Sequence, residues 1–382
     1  MNKKVMALAV AGALAAPAAA LAQVQIGGGI TLLYFQHDPD NSTSGQSSDV
    51  MQSSESEIRI NGSEKLGGGL EVWFQCASSI DGIIGGNTAT TAGWCTRNSA
   101  IGFRGDFGNV FFGNWDTPLK LIQNRVRGWF SGTNALVGGG YTLLAGSSAS
   151  GVGNGTGGSA NASFYRRQAN TVNYASPNWG GFSLAAAFSA ANETATLAES
   201  SPLNPRLMGL NGVFATGPFW VGVGYEKHDD YNPGSQAAYT GGSDDNITIG
   251  VGFTFARVLN LRATYSKSNY ETAAGGESEV TGFGAYVDWN ISGPHALHFA
   301  FITVDDVEGS GGAVNGYRAP GAATGADVFT VAYGYNFSKR TEVYVAYNEM
   351  KNDSNANFSQ GVVAASLGGK QTSIGIGLKH SF

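Results

Sequence analysis

The chain has 382 residues, 57 of them glycine, about twice the usual share, while only 13% are charged. Hydrophobic residues reach 42% and aromatics 11%, which excludes a disordered or collagen-like chain and argues against an ordinary soluble α/β enzyme. A formal charge of −6 leaves no basic footprint, so no nucleic-acid partner is expected.

Lys3 and Lys4 are followed by an apolar stretch from Val5 to Ala20 and then by Ala20-Leu21-Ala22. A basic start, apolar middle and A-x-A end read as a secretory signal peptide over residues 1–22, cleaved after Ala22. The apolar part is shorter than the ~20 residues of a spanning helix and contains Pro17. The mature chain is expected to be one domain, residues 23–382, and losing Lys3 and Lys4 takes its formal charge from −6 to −8. Downstream, no apolar run is long enough for a transmembrane helix. An exported chain of this kind either stays soluble or spans a bilayer as a closed barrel.

Sixteen candidate strands follow, near 25–36, 50–64, 70–79, 94–105, 109–115, 164–175, 181–190, 207–215, 219–228, 246–255, 259–269, 279–289, 296–305, 327–337, 341–350 and 372–382. Several alternate large apolar residues with small or polar ones, as Phe219, Val221, Val223 and Tyr225 do with Trp220, Gly222, Gly224 and Glu226. Ile247, Ile249, Val251, Phe253 and Phe255 repeat the pattern, as do Phe329, Val331, Tyr333, Tyr335 and Phe337. A period of two marks strands whose two faces meet different solvents. Most are about as long as the 9–11 residues that a tilted strand needs to cross a bilayer. Short connectors, such as 66–69, 106–108, 176–180, 216–218 and 338–340, alternate with long ones near 37–49, 80–93, 116–163, 191–206, 229–245, 270–278, 306–326 and 351–371. A sandwich has no reason to sort its loops this way, whereas an even-stranded outer-membrane barrel does. The expected fold is therefore all-β, a 16-stranded antiparallel transmembrane β-barrel. Trp289, Phe337, Tyr347 and Phe382 suit its interfacial girdles, and glycines on the inner wall are expected to leave a water-filled passage.

Four stretches then carry a family resemblance. Gly62-Ser63-Glu64-Lys65-Leu66-Gly67-Gly68-Gly69-Leu70 is similar to a G-x-E-D-L-G-G-G-L turn, and residues 100–110 with Asp116-Thr117-Pro118 resemble a V-G-L-x-G-x-F-G-x-V hairpin and its continuation. Asn170-Thr171-Val172-Asn173-Tyr174-Ala175-Ser176-Pro177 is similar to N-S-V-x-Y-x-S-P, and Leu378-Lys379-His380-Ser381-Phe382 resembles a terminal strand ending in Phe. Together they resemble the trimeric general porins of the Gram-negative outer membrane. The resemblance implies a homotrimer in the cell outer membrane, bordered by lipopolysaccharide and outer-membrane lipid, passing ions and small hydrophilic solutes by diffusion, with no cofactor and no enzymatic activity. It also implies that Phe382 is the assembly signal read by the barrel-insertion machinery, and that the loop at about 116–163 folds inward as a constriction.

In such porins a loop bearing carboxylates faces arginines on the wall. Here residues 117–163 contain no Asp or Glu but do contain Lys120, Arg125 and Arg127. Glu57 stands where a wall arginine is usual, with Arg59 two residues on; Asn114 replaces another, while Arg167, beside Arg166, matches a third. With Ile58 and Ile60 facing lipid, Glu57, Arg59 and Asn61 face the lumen. The expected constriction comprises Glu57, Arg59, Lys120, Arg125, Arg127 and Arg167, biased positive with Glu57 as the opposing carboxylate, and passes anions somewhat better than cations. The other reading places Lys120, Arg125 and Arg127 in the vestibule or trimer interface. Acidic residues gather instead at Asp229, Asp230, Asp244, Asp245, Asp305, Asp306 and Glu308, read as solvated loop charge.

Cys76 and Cys95 fall on one face of the strands flanking the second loop, and in an oxidising periplasm a disulfide between them is expected. Gly153-Asn154-Gly155-Thr156-Gly157-Gly158 matches G-x-G-x-x-G without the flanking strand and helix that a nucleotide site needs. His37, His228, His295, His298 and His380 lack metal-ligand spacing, and no metal site is expected. Two alternatives stand beside the porin: a barrel with a structural or adhesive surface role, and, more remotely, a barrel hydrolase using His298 with a nearby serine.

Overall fold

The computed structural model of the protein describes residues 23–39, 47–80, 83, 93–132, 143–144, 163–190, 205–231, 241–272, 275–314, 316–359 and 365–382. The signal segment 1–22 and the Gly153–Gly158 motif lie outside the described residues. The strands are β1 (Gln23–Pro39), β2 (Ser48–Ser53), β3 (Glu57–Gly67), β4 (Leu70–Ser79), β5 (Ser99–Gly105), β6 (Gly108–Asp116), β7 (Arg167–Ala175), β8 (Phe182–Ala190) and β9 (Arg206–Thr216). They continue as β10 (Phe219–Asp229), β11 (Ser243–Phe255), β12 (Leu259–Glu271), β13 (Glu277–Ser292), β14 (His295–Val304), β15 (Glu308–Gly309), β16 (Ala326–Ser338), β17 (Thr341–Asn352) and β18 (Lys370–Ser381).

All belong to one antiparallel sheet that closes where β1 pairs with β18, from Gly29 opposite Ser381 to Pro39 opposite Gln371. Both β2 and β3 pair with β1 and form one stave, interrupted at residues 54–56, while β15 is a two-residue addition to β13 inside a loop. The barrel therefore has sixteen staves. The interruption has a local cause. Ser56 is buried and its hydroxyl takes over ladder bonds, accepting from the Thr31 N–H at 3.0 Å and donating to the Thr31 carbonyl at 3.2 Å. Glu55 there adopts φ 53.

Alternation sorts the faces. On β10, Phe219, Val223 and Tyr225 are exposed to the outside while Gly222, Gly224, Glu226 and His228 are buried; on β11, Ile247, Ile249, Val251 and Phe253 are exposed while Asn246, Thr248 and Gly250 are buried. Exposed Trp289, Phe337 and Phe382 add to the apolar outer band.

Several of the inner glycines also serve as sockets for side chains inside the barrel. Helix α1 (Pro118–Arg127) follows β6, capped by Thr117, whose hydroxyl accepts the Lys120 N–H at 3.4 Å, with Pro118 in the first turn. Leu119, Ile122 and Val126 line one face of the helix and pack on β10 and β11. A Cβ at Gly222 would lie 2.8 Å from Ile122 Cδ1, at Gly224 3.0 Å from Leu119 Cδ1, and at Gly250 2.5 Å from Val126 Cγ2. Only glycine lets the helix sit this close. Beyond α1, the turn Gly128–Gly132 puts Trp129 against residues of β13, β14 and β17, and Leu144 fills the space over Gly282 of β13. Residues 117–132, which leave β6 and touch β10, β13 and β17 in turn, therefore cross the barrel interior, where Leu144 also lies.

Candidate functional site

Between α1 and the staves β3 to β7 lies a recess of about 300 Å³. Four cations line it: Arg59 on β3, Arg97 just before β5, Lys120 on α1 and Arg167 on β7. Three carboxylates accompany them: Glu55 at the stave interruption, Glu57 on β3 and Asp116 at the end of β6. The ring carries one more positive charge than negative.

The charges are paired in two groups. Arg97 donates through Nε to Glu57 Oε2 at 2.8 Å and through Nη2 to Glu55, and Arg59 donates through Nε to Glu57 Oε1 at 3.1 Å. Burial works against the Arg97 charge, but the two carboxylates outweigh it and raise its pKa. In the second group Asp116 forms ion pairs with Lys120 Nζ at 2.9 Å and Arg167 Nη2 at 3.4 Å, and accepts from Asn98 Nδ2 at 3.1 Å. Asn98 in turn accepts from Arg167 Nε, and Lys120 Nζ lies 4.6 Å from the centre of the Tyr165 ring. The side chains of Lys120 and Arg167 are 4% and 5% exposed, whereas that of Arg59 is 45% exposed. Arg59 therefore presents its charge most openly to the solution.

Glu57, Arg59, Lys120 and Arg167 thus lie around one recess. Arg125 and Arg127 are not part of this recess. Arg127 is buried; it lies seven residues beyond Lys120 on the same side of α1, but its guanidinium is taken up by the Tyr165 hydroxyl and by the Phe130 carbonyl at 3.0 Å. Arg125 lies over the Trp220 ring, 4.7 Å from its centre. Glu57 does not oppose the basic residues across the lumen; it stands among them, beside Arg59 on one stave. Glu55, Arg97 and Asp116 had escaped sequence reasoning. The interruption of a stave places the first, a turn the second, and the strand end before a Thr-Pro helix start the third.

That turn depends on the cysteines. Cys76 and Cys95 form a disulfide with Cα atoms 4.6 Å apart, but Cys95 lies in a turn with φ 62 and not on a strand, as strand parity had suggested, because β5 begins only at Ser99. The Cys95 N–H donates to Ser78 Oγ at 2.8 Å and the Arg97 N–H to the Ala77 carbonyl at 2.9 Å, docking the turn on β4.

Across the lumen the inward loop is clasped through Trp129. Its indole N–H donates to Glu342 at 3.0 Å, its ring stacks on His298 at 4.0 Å, and Lys379 Nζ lies 5.3 Å above it. His298 Nδ1 meets Asp288 at 2.7 Å, and Arg262 Nη2 meets Asp288 at 2.5 Å. Carboxylates and an indole surround His298, an environment that does not resemble the serine pairing a hydrolase would need. The acidic residues read as loop charge also divide. Asp244 is 1% exposed and accepts the Glu271 N–H at 3.1 Å, while Asp306 accepts from the Thr324 and Gly325 N–H groups at 2.6 and 3.2 Å.

A model of the Gram-negative porin family matches residues 7–355. The chain belongs to the Gram-negative porin family. Outer membrane porin protein 32 of Delftia acidovorans is 26% identical over the whole of both chains. The major outer membrane protein P.IB of Neisseria gonorrhoeae is 34% identical over 137 residues, 35% of this porin and 37% of that protein. Among solved structures, the anion-selective porin from Comamonas acidovorans shares the fold with a TM-score of 0.73 at 20% identity, covering 95% of this chain and 100% of that one. OmpF of Salmonella typhi does so with a TM-score of 0.62 at 13% identity, covering 94% and 97%. The porin resides in the outer membrane, where its barrel forms a water-filled channel for the diffusion of ions and small hydrophilic solutes.

Proposed function

We propose that the channel prefers anions weakly and that its constriction is the ring of Arg59, Arg97, Lys120 and Arg167 with Glu55, Glu57 and Asp116, held in place by the inward loop. The observation that carries this reading is the single positive excess in that ring. Charged rings set the selectivity of aqueous pores, and a small excess gives a small bias. The anion-selective porin from Comamonas acidovorans, with the same fold, supports it. Zero-current potentials in a KCl gradient across a planar bilayer test it. The expected sign is chloride over potassium, reduced by Arg59→Gln; a clear potassium preference would contradict it.

The porin is further proposed to act as a homotrimer, as one Vibrio cholerae structure of the same fold is described. Light scattering of the detergent-solubilised mature protein, with detergent mass subtracted, checks this: a monomeric mass refutes it. In the same proposal Phe382 is the assembly signal, the Cys76–Cys95 bridge persists in the exported protein, and catalysis plays no part.

A further inference from the structure

An aqueous wall has no need of clustered rings, yet one cluster of them reaches the charge ring. Phe74 and Phe112 face outward, 39% and 46% exposed, while their neighbours Trp73 and Phe111 turn inward and meet Trp115. The ring centres are 5.5 Å apart for Trp73 and Phe111, 5.8 Å for Trp73 and Trp115, and 5.2 Å for Phe111 and Trp115. Trp73 is pinned by its indole N–H, which donates to Asn109 Oδ1 at 2.8 Å. Phe111 is buried behind the two indoles, which stay partly open, and Trp115 lines the same recess as the four cations.

We propose that the recess is a binding site for aromatic carboxylates in transit, with the solute's ring against Trp115 and Trp73 and its carboxylate on Arg59. This rests on the anion-preferring reading of the pore. Arg59 suits the role because its guanidinium is half-exposed, and a planar guanidinium receives a planar carboxylate on two parallel N–H bonds. Indole edges and faces held in fixed geometry favour an offset or edge-on aromatic partner over a saturated ring of equal size. A space of about 300 Å³ fits one such small acid. Net charge alone explains a chloride bias, but not the placing of the Trp115 indole beside the charge ring with a second indole, Trp73, packed against it.

The test uses the full mature porin in planar bilayers carrying a KCl current, with acetate, cyclohexanecarboxylate and benzoate added in turn and their binding read from current block. Benzoate is expected to bind about threefold or more tightly than cyclohexanecarboxylate, which shares its charge and size. Trp115→Leu brings the two acids to equal affinity, Trp115→Phe retains the preference, and Arg59→Gln weakens both acids alike. Should Trp115→Leu not form channels, Trp73→Leu reads the same ratio. Equal block by the two acids in the unaltered porin overturns the proposal, as does an unchanged ratio in the leucine variants. A cation-selective channel, or none, refutes the underlying reading instead, and is told apart by the KCl current before any acid is added.

Discussion

The two walls that face helix α1 are built on opposite principles. On the β9 to β11 side, Gly222, Gly224 and Gly250 clear the places where Ile122, Leu119 and Val126 rest close to the backbone. On the β3 to β7 side, arginines, carboxylates and indoles stand away from the helix and leave a recess. One face of the helix is thereby fixed by close packing, and the other carries Lys120 into the charged cluster beside Asp116. The difference teaches that a charged aperture needs a dry, close-packed back to hold its geometry.

The strongest way to break this contrast is on the charged wall. Asp116→Ala removes the shared partner of Lys120 and Arg167, both nearly buried, and is expected to cost about 3–5 kcal/mol, toward the lower figure because the lumen is wet. It also raises the ring's positive excess by one. A lower unfolding temperature on semi-native gels together with a larger chloride bias checks both. Next in size, Cys76→Ser with Cys95→Ser opens a loop closed over a separation of 19 residues and is expected to cost about 3 kcal/mol. Because the bridge docks the turn that carries Arg97, the double variant should also lose chloride preference, whereas a purely global role would leave selectivity unchanged.

The packed wall answers differently. Gly250→Leu drives a side chain into Val126 and is expected to cost about 1–3 kcal/mol, with the helix displaced into the lumen. Single-channel conductance falls while the ion preference keeps its sign. The smallest effect lies outside both walls, at Asp306. Burial lifts its carboxyl pKa, but the N–H groups of Ala323, Thr324 and Gly325 win and hold it below its ordinary 3.8. The loop therefore keeps this support above that pH and loses it as pH falls through the lower folded value. Asp306→Ala should make the 305–326 loop open to protease near neutral pH, as acid does for the parent.

Where the amino-acid pattern repeats locally, the fold could be read from it. The period of two in β10, β11 and β16 and the short turns gave all sixteen staves, because each strand reports its own two solvents. The interruption at residues 54–56 escaped because it depends on a serine hydroxyl bonding to a neighbouring strand. Helix α1 left a local trace in Thr117-Pro118 followed by Leu119, Ile122 and Val126, overlooked inside a long connector. Arg97 left none. Only the turn docked on β4 and the register of β3 bring it to Glu57. Side chains on wall and loop that meet across a lumen obey tertiary register, and a charge count along the chain cannot supply that.

The way the ring closes also bears on how the molecule is made. Phe382, the final residue, exchanges backbone hydrogen bonds with Gly28, both at 3.1 Å, near the start of β1. Until β18 is in place, the first and penultimate staves keep bare edges that hydrocarbon does not tolerate. Closure thus depends on this single pairing, and a wall lacking β18 would be an open sheet with no stable home in the bilayer.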